Sequence, residues 1–359
     1  MSIAALAARQ SGGPLEPATY EPRALRDDDI RIDVKFAGIC HSDIHTVREE
    51  WGSAIFPLVP GHEIAGVVAE VGSAVTKYKV GDRVGVGCMV DSCGECEYCK
   101  DGQEQFCAKG MTGTYNARDR HDKTPTKGGY AQAVTVSERF AVRIPDGLEL
   151  DVAAPLLCAG ITTYEPLRRF KVGQGTKVAV VGLGGLGHMG VKLAVAMGAD
   201  VTVLSRSQAK KDDALALGAQ HYVATGEEGA FKGLRSSFDL VLNTVSADLD
   251  MNDYLATLKP LGALVNVGLP TNPYEVAPFS VVGGSRILAG SNIGGIPATQ
   301  EMLDFCAEHH LGADIETIDA KDVNEAYDRV VAGDVRYRVV IDTATIPTDG
   351  EKFEDAPAS

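Results

Sequence analysis

The chain has little positive charge to spare. Its 34 lysines and arginines are outnumbered by 49 aspartates and glutamates, for a formal charge of −15 over 359 residues. Such a surface repels phosphate backbones and anionic lipid headgroups, which excludes nucleic-acid and membrane partners on bulk electrostatics. A long unbroken apolar run is also missing. The most apolar stretch, VAVVGLGGLGHMGVKLAVAMG, is interrupted by glycines, His188 and Lys192, so it does not read as a membrane span. No basic residues precede the apolar ones in the opening MSIAALAARQ, and a cytoplasmic protein is expected. Internal repeats are absent as well. Eight cysteines are present, and in a reducing compartment they need a use other than disulfides.

Single cores stop growing at roughly 250–300 residues, so this length predicts two domains. From about residue 30 to 145, short runs such as RIDVKF, GVVAEVG, DRVGVG, YAQAVTV and AVRIP are separated by glycine and polar turns. That pattern predicts an antiparallel, barrel-like β region. From about 155 to 295, strand-like KVAVVG, VTVLS, FDLVLNTV and GALVNVG alternate with helix-like HMGVKLAVAMG, QAKKDDALALG and MNDYLATLK. This is the rhythm of a doubly wound parallel sheet, giving an α/β protein overall. The amphipathic TQEMLDFCAEHH and DVNEAYDRVVAG and the strand-like YRVVID are expected to return to the first domain. The predicted boundaries are 1–157 for the β-rich domain, 158–294 for the doubly wound domain and 295–345 for the return. Residues 346–359, poor in apolar side chains, are expected to be a flexible tail.

KVAVV runs directly into GLGGLG, so Gly182, Gly184 and Gly187 form G-x-G-x-x-G between a strand and a helix. The first glycine allows the tight turn, the second lets backbone approach a pyrophosphate, and the third permits close helix packing. An NAD site would place a carboxylate at the end of the next strand to receive the ribose 2′-hydroxyl. None is there. VTVL is followed by Ser205, Arg206 and Ser207, then Lys210 and Lys211, a set suited to a 2′-phosphate, which predicts NADP(H). A solvated helix start that happens to be basic is the alternative.

Cys93, Cys96, Cys99 and Cys107 stand as C-x2-C-x2-C-x7-C. Four thiolates around tetrahedral zinc leave no open position, so this metal would be structural. An iron–sulfur cluster and a nucleic-acid zinc module are the competitors. The x7 gap suits neither common ferredoxin spacing, and acidic neighbours such as Glu95 and Glu97 disfavour the second. Cys88 and Cys306 read as buried thiols. Cys40 in GICHSDIH, His62 in PGHEIAG and Cys158 in PLLCAGITTY could supply two thiolates and an imidazole with a fourth position left for substrate. Periodicity cannot bring these three segments together.

GHEIAGVVAEVGSAV, residues 61–75, matches the G-H-E-x2-G-x5-G-x2-V signature of zinc-dependent alcohol dehydrogenases of the medium-chain superfamily. GICHSDIH, the four-cysteine lobe and GLGGLG follow that family's order. CAGITTY, GLGGLGHMGVK and the serine-rich strand end resemble its cinnamyl alcohol dehydrogenase branch, above all the bacterial NADP-dependent aldehyde reductases. The resemblance implies a GroES-like catalytic domain, a Rossmann domain, two zinc ions per chain and a homodimer. It assigns Cys40, His62 and Cys158 to catalytic zinc, Ser42 and His45 to proton relay, Asp43 to orienting His62, and Glu63 to approaching the resting metal. Cofactor contacts are implied for His41, Thr162, Leu183, Gly185, Leu186, Val267, Gly268, Ser291, Asn292 and Ile293.

The lignin-forming plant enzymes of this branch carry aromatic residues where this chain has Gly113 and Asn292. A broad range of aliphatic and aromatic aldehydes, or the matching primary alcohols, is therefore expected. The only tryptophan, Trp51, is read either as a pocket wall or as core. The rival readings are another medium-chain enzyme, such as a polyol dehydrogenase or quinone reductase, and a catalytically idle zinc and nucleotide-binding protein.

Overall fold

The alternation in DIRIDVKFAGI buries Ile30, Ile32 and Val34 while Asp33 and Lys35 face solvent, and it becomes the strand Asp29–Ile39. This strand organises a seven-stranded sheet. It pairs antiparallel with Ile64–Val71, Ala133–Ser137 and Arg338–Asp342. Ile315–Asp319 lies beyond Arg338–Asp342, and Arg83–Val86 followed by Val142–Arg143 lies beyond Ile64–Val71. A second sheet joins Ile3–Ala8, Leu15–Tyr20 and Glu351–Lys352. Its buried side chains share a core with Ile39, Ile44, Tyr130, Tyr327 and Ile341. The computed structural model, which describes residues 2–357, divides into two units: Met1–Cys158 with Gly294–Ser359, and Ala159–Ile293.

The second unit is built on a six-stranded parallel sheet. Its spatial order is His221–Ala224, Asp200–Ser205, Lys177–Val181, Phe238–Asn243, Leu258–Asn266 and Ile287–Gly290. Numbered within the unit this is 3-2-1-4-5-6, the doubly wound order whose direction reverses beside its first strand. Val178, Val180, Val201, Val203 and Leu242 are fully buried, as a sheet covered on both faces requires. Helices Gly185–Ala196, Lys211–Ala216 and Met251–Thr257 lie between successive strands. Among the described residues, no helix is long and apolar enough to cross a membrane.

The tail departs from the flexible segment expected over 346–359. Glu351–Lys352 pairs in parallel with Ala18–Thr19, and Phe353 is buried with its ring 5.8 Å from that of Tyr20. Asp355 meets Lys127 at 2.6 Å, and the Arg118 guanidinium donates to the carbonyls of Ala356 and Pro357. Residues 358 and 359 of the expected tail lie outside the described residues. Low average hydrophobicity concealed one large anchor, since burying a single aromatic ring suffices to dock a short strand. Phe353→Ala is expected to destabilise the protein by about 3 kcal/mol. An unchanged midpoint of denaturant unfolding would show that the ring contributes nothing.

Candidate functional site

Cys40 directly follows the central strand, with extended backbone (φ −114°, ψ 150°), and begins the helix His41–Val47. Asp43 occupies the third helical position, and its Oδ2 accepts the Cys40 N–H at 3.0 Å. The reciprocal capping turns the fully buried carboxylate back towards the strand end. There Asp43 Oδ1 accepts from His62 Nδ1 at 2.9 Å and from the Gly61 N–H at 3.2 Å. An ionised carboxylate only accepts, so Nδ1 carries the proton and Nε2 keeps its lone pair for a ligand. Tyr115 stacks on the His62 ring with centroids 5.9 Å apart.

Cys158 follows the short turn Ala154–Leu157, which is anchored by buried Leu156 and Leu157. Its Sγ lies 4.0 Å from that of Cys40. One ligand atom from each of Cys40, His62, Glu63 and Cys158 falls within 4.8 Å of all the others, and all four residues are buried. Sulfurs sharing a tetrahedral zinc at about 2.3 Å stand roughly 3.8 Å apart, so the donor spacing fits that ion. A disulfide would bring the sulfurs to about 2 Å.

Glu63 is the fourth member of the cluster. Arg338 donates to its Oε1 and also to the Ile39 carbonyl at 2.8 Å. Oε2 has no hydrogen-bond partner in the protein. Burial pushes the Glu63 carboxyl up, against the opposing pull of the Arg338 guanidinium. The strand must carry a glycine beneath this group, because a Cβ on Gly38 would lie 2.0 Å from Oε2.

Arg338 and Cys88 are among the residues that the sequence reading missed. Arg338, only 6% exposed, is the second residue of YRVVID and the first of the strand Arg338–Asp342. Cys88 is not the isolated buried thiol expected of it. It is half-buried, and its Sγ lies 3.9 Å from the carbonyl of Leu157, the residue before Cys158. The antiparallel pairing of Ile64 with Val86 brings the segments carrying His62 and Cys88, each two residues past its strand's end, to the same end of the ladder. Cys306 is a buried thiol against Met302.

Ser42 Oγ is 3.6 Å from Cys40 Sγ. One turn on, His45 Nδ1 meets the Glu50 carboxylate, and its ring stacks on Trp51 at 4.4 Å. Trp51 is 51% exposed, so it covers His45 rather than joining the core. The His41 ring is 6.0 Å from that of His45.

In the four-cysteine lobe, Cys99 Sγ is 3.8 Å from that of Cys93 and 3.4 Å from that of Cys96. Backbone N–H groups of Cys93, Cys96 and Ala108 donate to the sulfurs of Cys107, Cys93 and Cys96 at 3.3–3.4 Å. These donors stabilise thiolates, and the spacing again suits one tetrahedral ion.

The glycine-rich turn lies in the second unit. Gly182 has φ +89°, and a Cβ on it would strike Val245. A Cβ on Gly187 would lie 2.2 Å from the Gly182 carbonyl, whereas Gly184 has nothing within 4 Å. The middle glycine therefore leaves open backbone beside the N-terminal residues Gly185 and Leu186 of the helix Gly185–Ala196, which suits a phosphate. Lys210 Nζ donates to the Leu183 carbonyl at 2.7 Å, tying the basic strand end to this turn. Ser205 closes its strand, followed by exposed Arg206 and Ser207. Val267, Gly268, Ser291, Asn292 and Ile293 follow the carboxyl ends of their strands, the edge where such sheets bind ligands. Thr162 is buried in the helix Ala159–Arg169, and His41 belongs to the other unit.

Residues 26–146 match the family described as alcohol dehydrogenase GroES-like domain, and residues 185–308 match that of zinc-binding dehydrogenases. The NADP-dependent alcohol dehydrogenase C 1 of Mycolicibacterium smegmatis is 62% identical over 96% of this chain and 99% of its own. A cinnamyl alcohol dehydrogenase structure from Sorghum bicolor superposes with a TM-score of 0.94 at 44% identity, covering 97% of this chain and 99% of that one. A further such enzyme from Helicobacter pylori, complexed with NADP(H), gives 0.90 at 42% identity, covering 96% and 99%.

Proposed function

Because this chain belongs to the zinc-dependent alcohol dehydrogenases that join a GroES-like domain to a zinc-binding dehydrogenase domain, we propose that Cys40, His62 and Cys158 hold its catalytic zinc. The enzyme interconverts aldehydes and alcohols with NADP(H) and uses two zinc ions. The observation that carries the assignment is the convergence of two thiols and an imidazole from three distant segments on one buried point. Cys93, Cys96, Cys99 and Cys107 would hold the structural ion.

Bound zinc supplies a Lewis acid for the substrate oxygen, and the reduced nicotinamide supplies hydride. The chain's own groups handle the proton and the orientation. Ser42, beside Cys40, is placed to give a proton to the product oxygen, and His45 to resupply it from the solvent side. Glu50 and Trp51 fix the His45 ring from two directions. Asp43 holds His62 in the tautomer that can ligate. Glu63 offers its unpartnered oxygen to the same point, and Arg338 restrains the other oxygen.

A positioned proton donor contributes about a hundredfold to ten-thousandfold. Ser42→Ala should lose turnover on that scale while retaining two zincs per chain. Aldehyde reduction followed with NADPH, with zinc analysis alongside, decides it, and unchanged turnover removes Ser42 from the chemistry. The same assay run with aliphatic and aromatic aldehydes, sorbitol and a quinone tests the broad aldehyde range. Oxidation of NADPH by the quinone alone would overturn the aldehyde reading.

The homodimer is supported by the terminal strand Ile287–Gly290. Ile287 and Leu288 are exposed there, and Phe279 and Val282 on the preceding helix are 81% and 69% exposed. An unpaired strand edge flanked by apolar side chains favours pairing with another chain. Light scattering that gives the mass of one chain at micromolar concentration would refute the dimer. The grouping of six cysteines into two metal-ligand clusters, in place of disulfides, supports a cytoplasmic location.

A further inference from the structure

Asp43 is fully specified by its surroundings. Each carboxylate oxygen accepts two hydrogen bonds: Oδ1 from His62 Nδ1 and the Gly61 N–H, and Oδ2 from the Cys40 N–H and the Tyr130 hydroxyl at 3.2 Å. These fill the roughly four acceptor positions that an ionised carboxylate offers. Three of the donors sit on the two segments that carry Cys40 and His62, and they move with those segments. The fourth comes from elsewhere.

Tyr130 is held by its own backbone and ring contacts. Its carbonyl accepts the Leu6 N–H at 2.8 Å, and its own N–H donates to Pro60 O at 3.0 Å. Its ring lies against Gly61, where a Cβ would approach to 2.5 Å, and it is fully buried, as is Asp43. The hydroxyl therefore connects the carboxylate to the core formed around Ile3–Ala8. With Asp43 and Tyr130 both fully buried, an acceptor position vacated on Oδ2 is left unsatisfied.

The geometry points to Tyr130 as a positioning residue for the catalytic metal: through Asp43 it fixes the rotation of the His62 imidazole and the approach of the Cys40 segment. It touches neither substrate nor metal. The inference rests on reading Cys40, His62 and Cys158 as the catalytic zinc site.

Groups that orient a ligating histidine typically change metal affinity or activity by about 10- to 100-fold when removed. Tyr130 acts one bond further out, so an effect at the lower end, about tenfold, is expected. The measurement is zinc release from the intact enzyme to a chelating dye, with the structural zinc as internal reference and Cys158→Ala identifying the catalytic phase. Tyr130→Phe, which keeps the ring against Gly61, should release catalytic zinc about tenfold faster. The structural phase and the melting temperature should be unchanged. Tyr78→Phe removes a buried hydroxyl that donates to the Ala141 carbonyl at 2.7 Å and not to Asp43, and it should leave both phases unchanged. A catalytic phase within about twofold of wild type in Tyr130→Phe would overturn the proposal. So would equal acceleration of both phases, or an equal effect of Tyr78→Phe. If the wild-type enzyme shows no phase that Cys158→Ala abolishes, the underlying zinc assignment fails instead.

Discussion

Cys158→Ala is expected to leave one zinc per chain instead of two and to lower aldehyde turnover by about a thousandfold or more. A metal Lewis acid contributes several kcal/mol to stabilising charge on the substrate oxygen, and each 1.36 kcal/mol is tenfold in rate. The fold should survive, because the preceding turn is held by Leu156 and Leu157 and not by the thiol. The four-cysteine lobe should keep its ion, since none of its sulfurs belongs to the other cluster. Metal analysis of the purified variant gives the ratio directly, and two zincs per chain would contradict the assignment of Cys158. Cys88 makes the experiment more informative, because its thiol lies 3.9 Å from the carbonyl of Leu157, the residue before Cys158. Should the single variant keep its second zinc and the Cys88→Ala, Cys158→Ala pair lose it, Cys88 would be the ligand that replaces Cys158.

Ser205→Asp should lower kcat/KM for NADPH by about a hundredfold and leave that for NADH no worse than in the wild type. The strand Asp200–Ser205 delivers this side chain to the carboxyl edge of the sheet, beside Arg206, Ser207 and Lys210. A carboxylate there repels a 2′-phosphate and removes a hydroxyl that can donate to it. Hydrogen bonds to charged groups are worth about 1.5–3 kcal/mol, or roughly ten- to a hundredfold. The same carboxylate can accept from the 2′-hydroxyl of NADH. Steady-state kinetics with both nicotinamides measures the ratio, and a wild type that already prefers NADH would refute the assigned role of Ser205.

What could be read from the sequence followed the distance over which each feature is encoded. The four-cysteine lobe closes within 15 residues, so its spacing alone indicated one tetrahedral ion. GLGGLG was equally local, and its three glycines occupy three different backbone environments: a positive-φ turn, an open approach and a tight crossing. The doubly wound sheet was legible because buried parallel strands are short apolar runs separated by helices. The buried cluster was different, because Cys40 and Cys158 are 118 residues apart. Only family resemblance proposed that pairing. Cys88 stayed hidden because its place depends on an antiparallel register, Ile64 opposite Val86, that no local pattern expresses. Arg338 stayed hidden for a related reason: its partner Glu63 is 275 positions away, and a charged strand residue ordinarily faces water. The tail was misjudged from average composition, which cannot show that Phe353 lands against the Tyr20 ring in the core of the first unit.

The division of the chain has a consequence for biosynthesis. Residues 159–293 form one unit without interruption, whereas the metal-bearing unit needs the strand Arg338–Asp342, which leaves the ribosome roughly 180 residues after Cys158. At about 5–20 residues per second, Cys40, His62, Glu63 and Cys158 wait about 10–40 s for the arginine that donates to Glu63. The nucleotide-binding half is complete first, and buried Glu63 gains its hydrogen-bond donor only once the strand Arg338–Asp342 has been made.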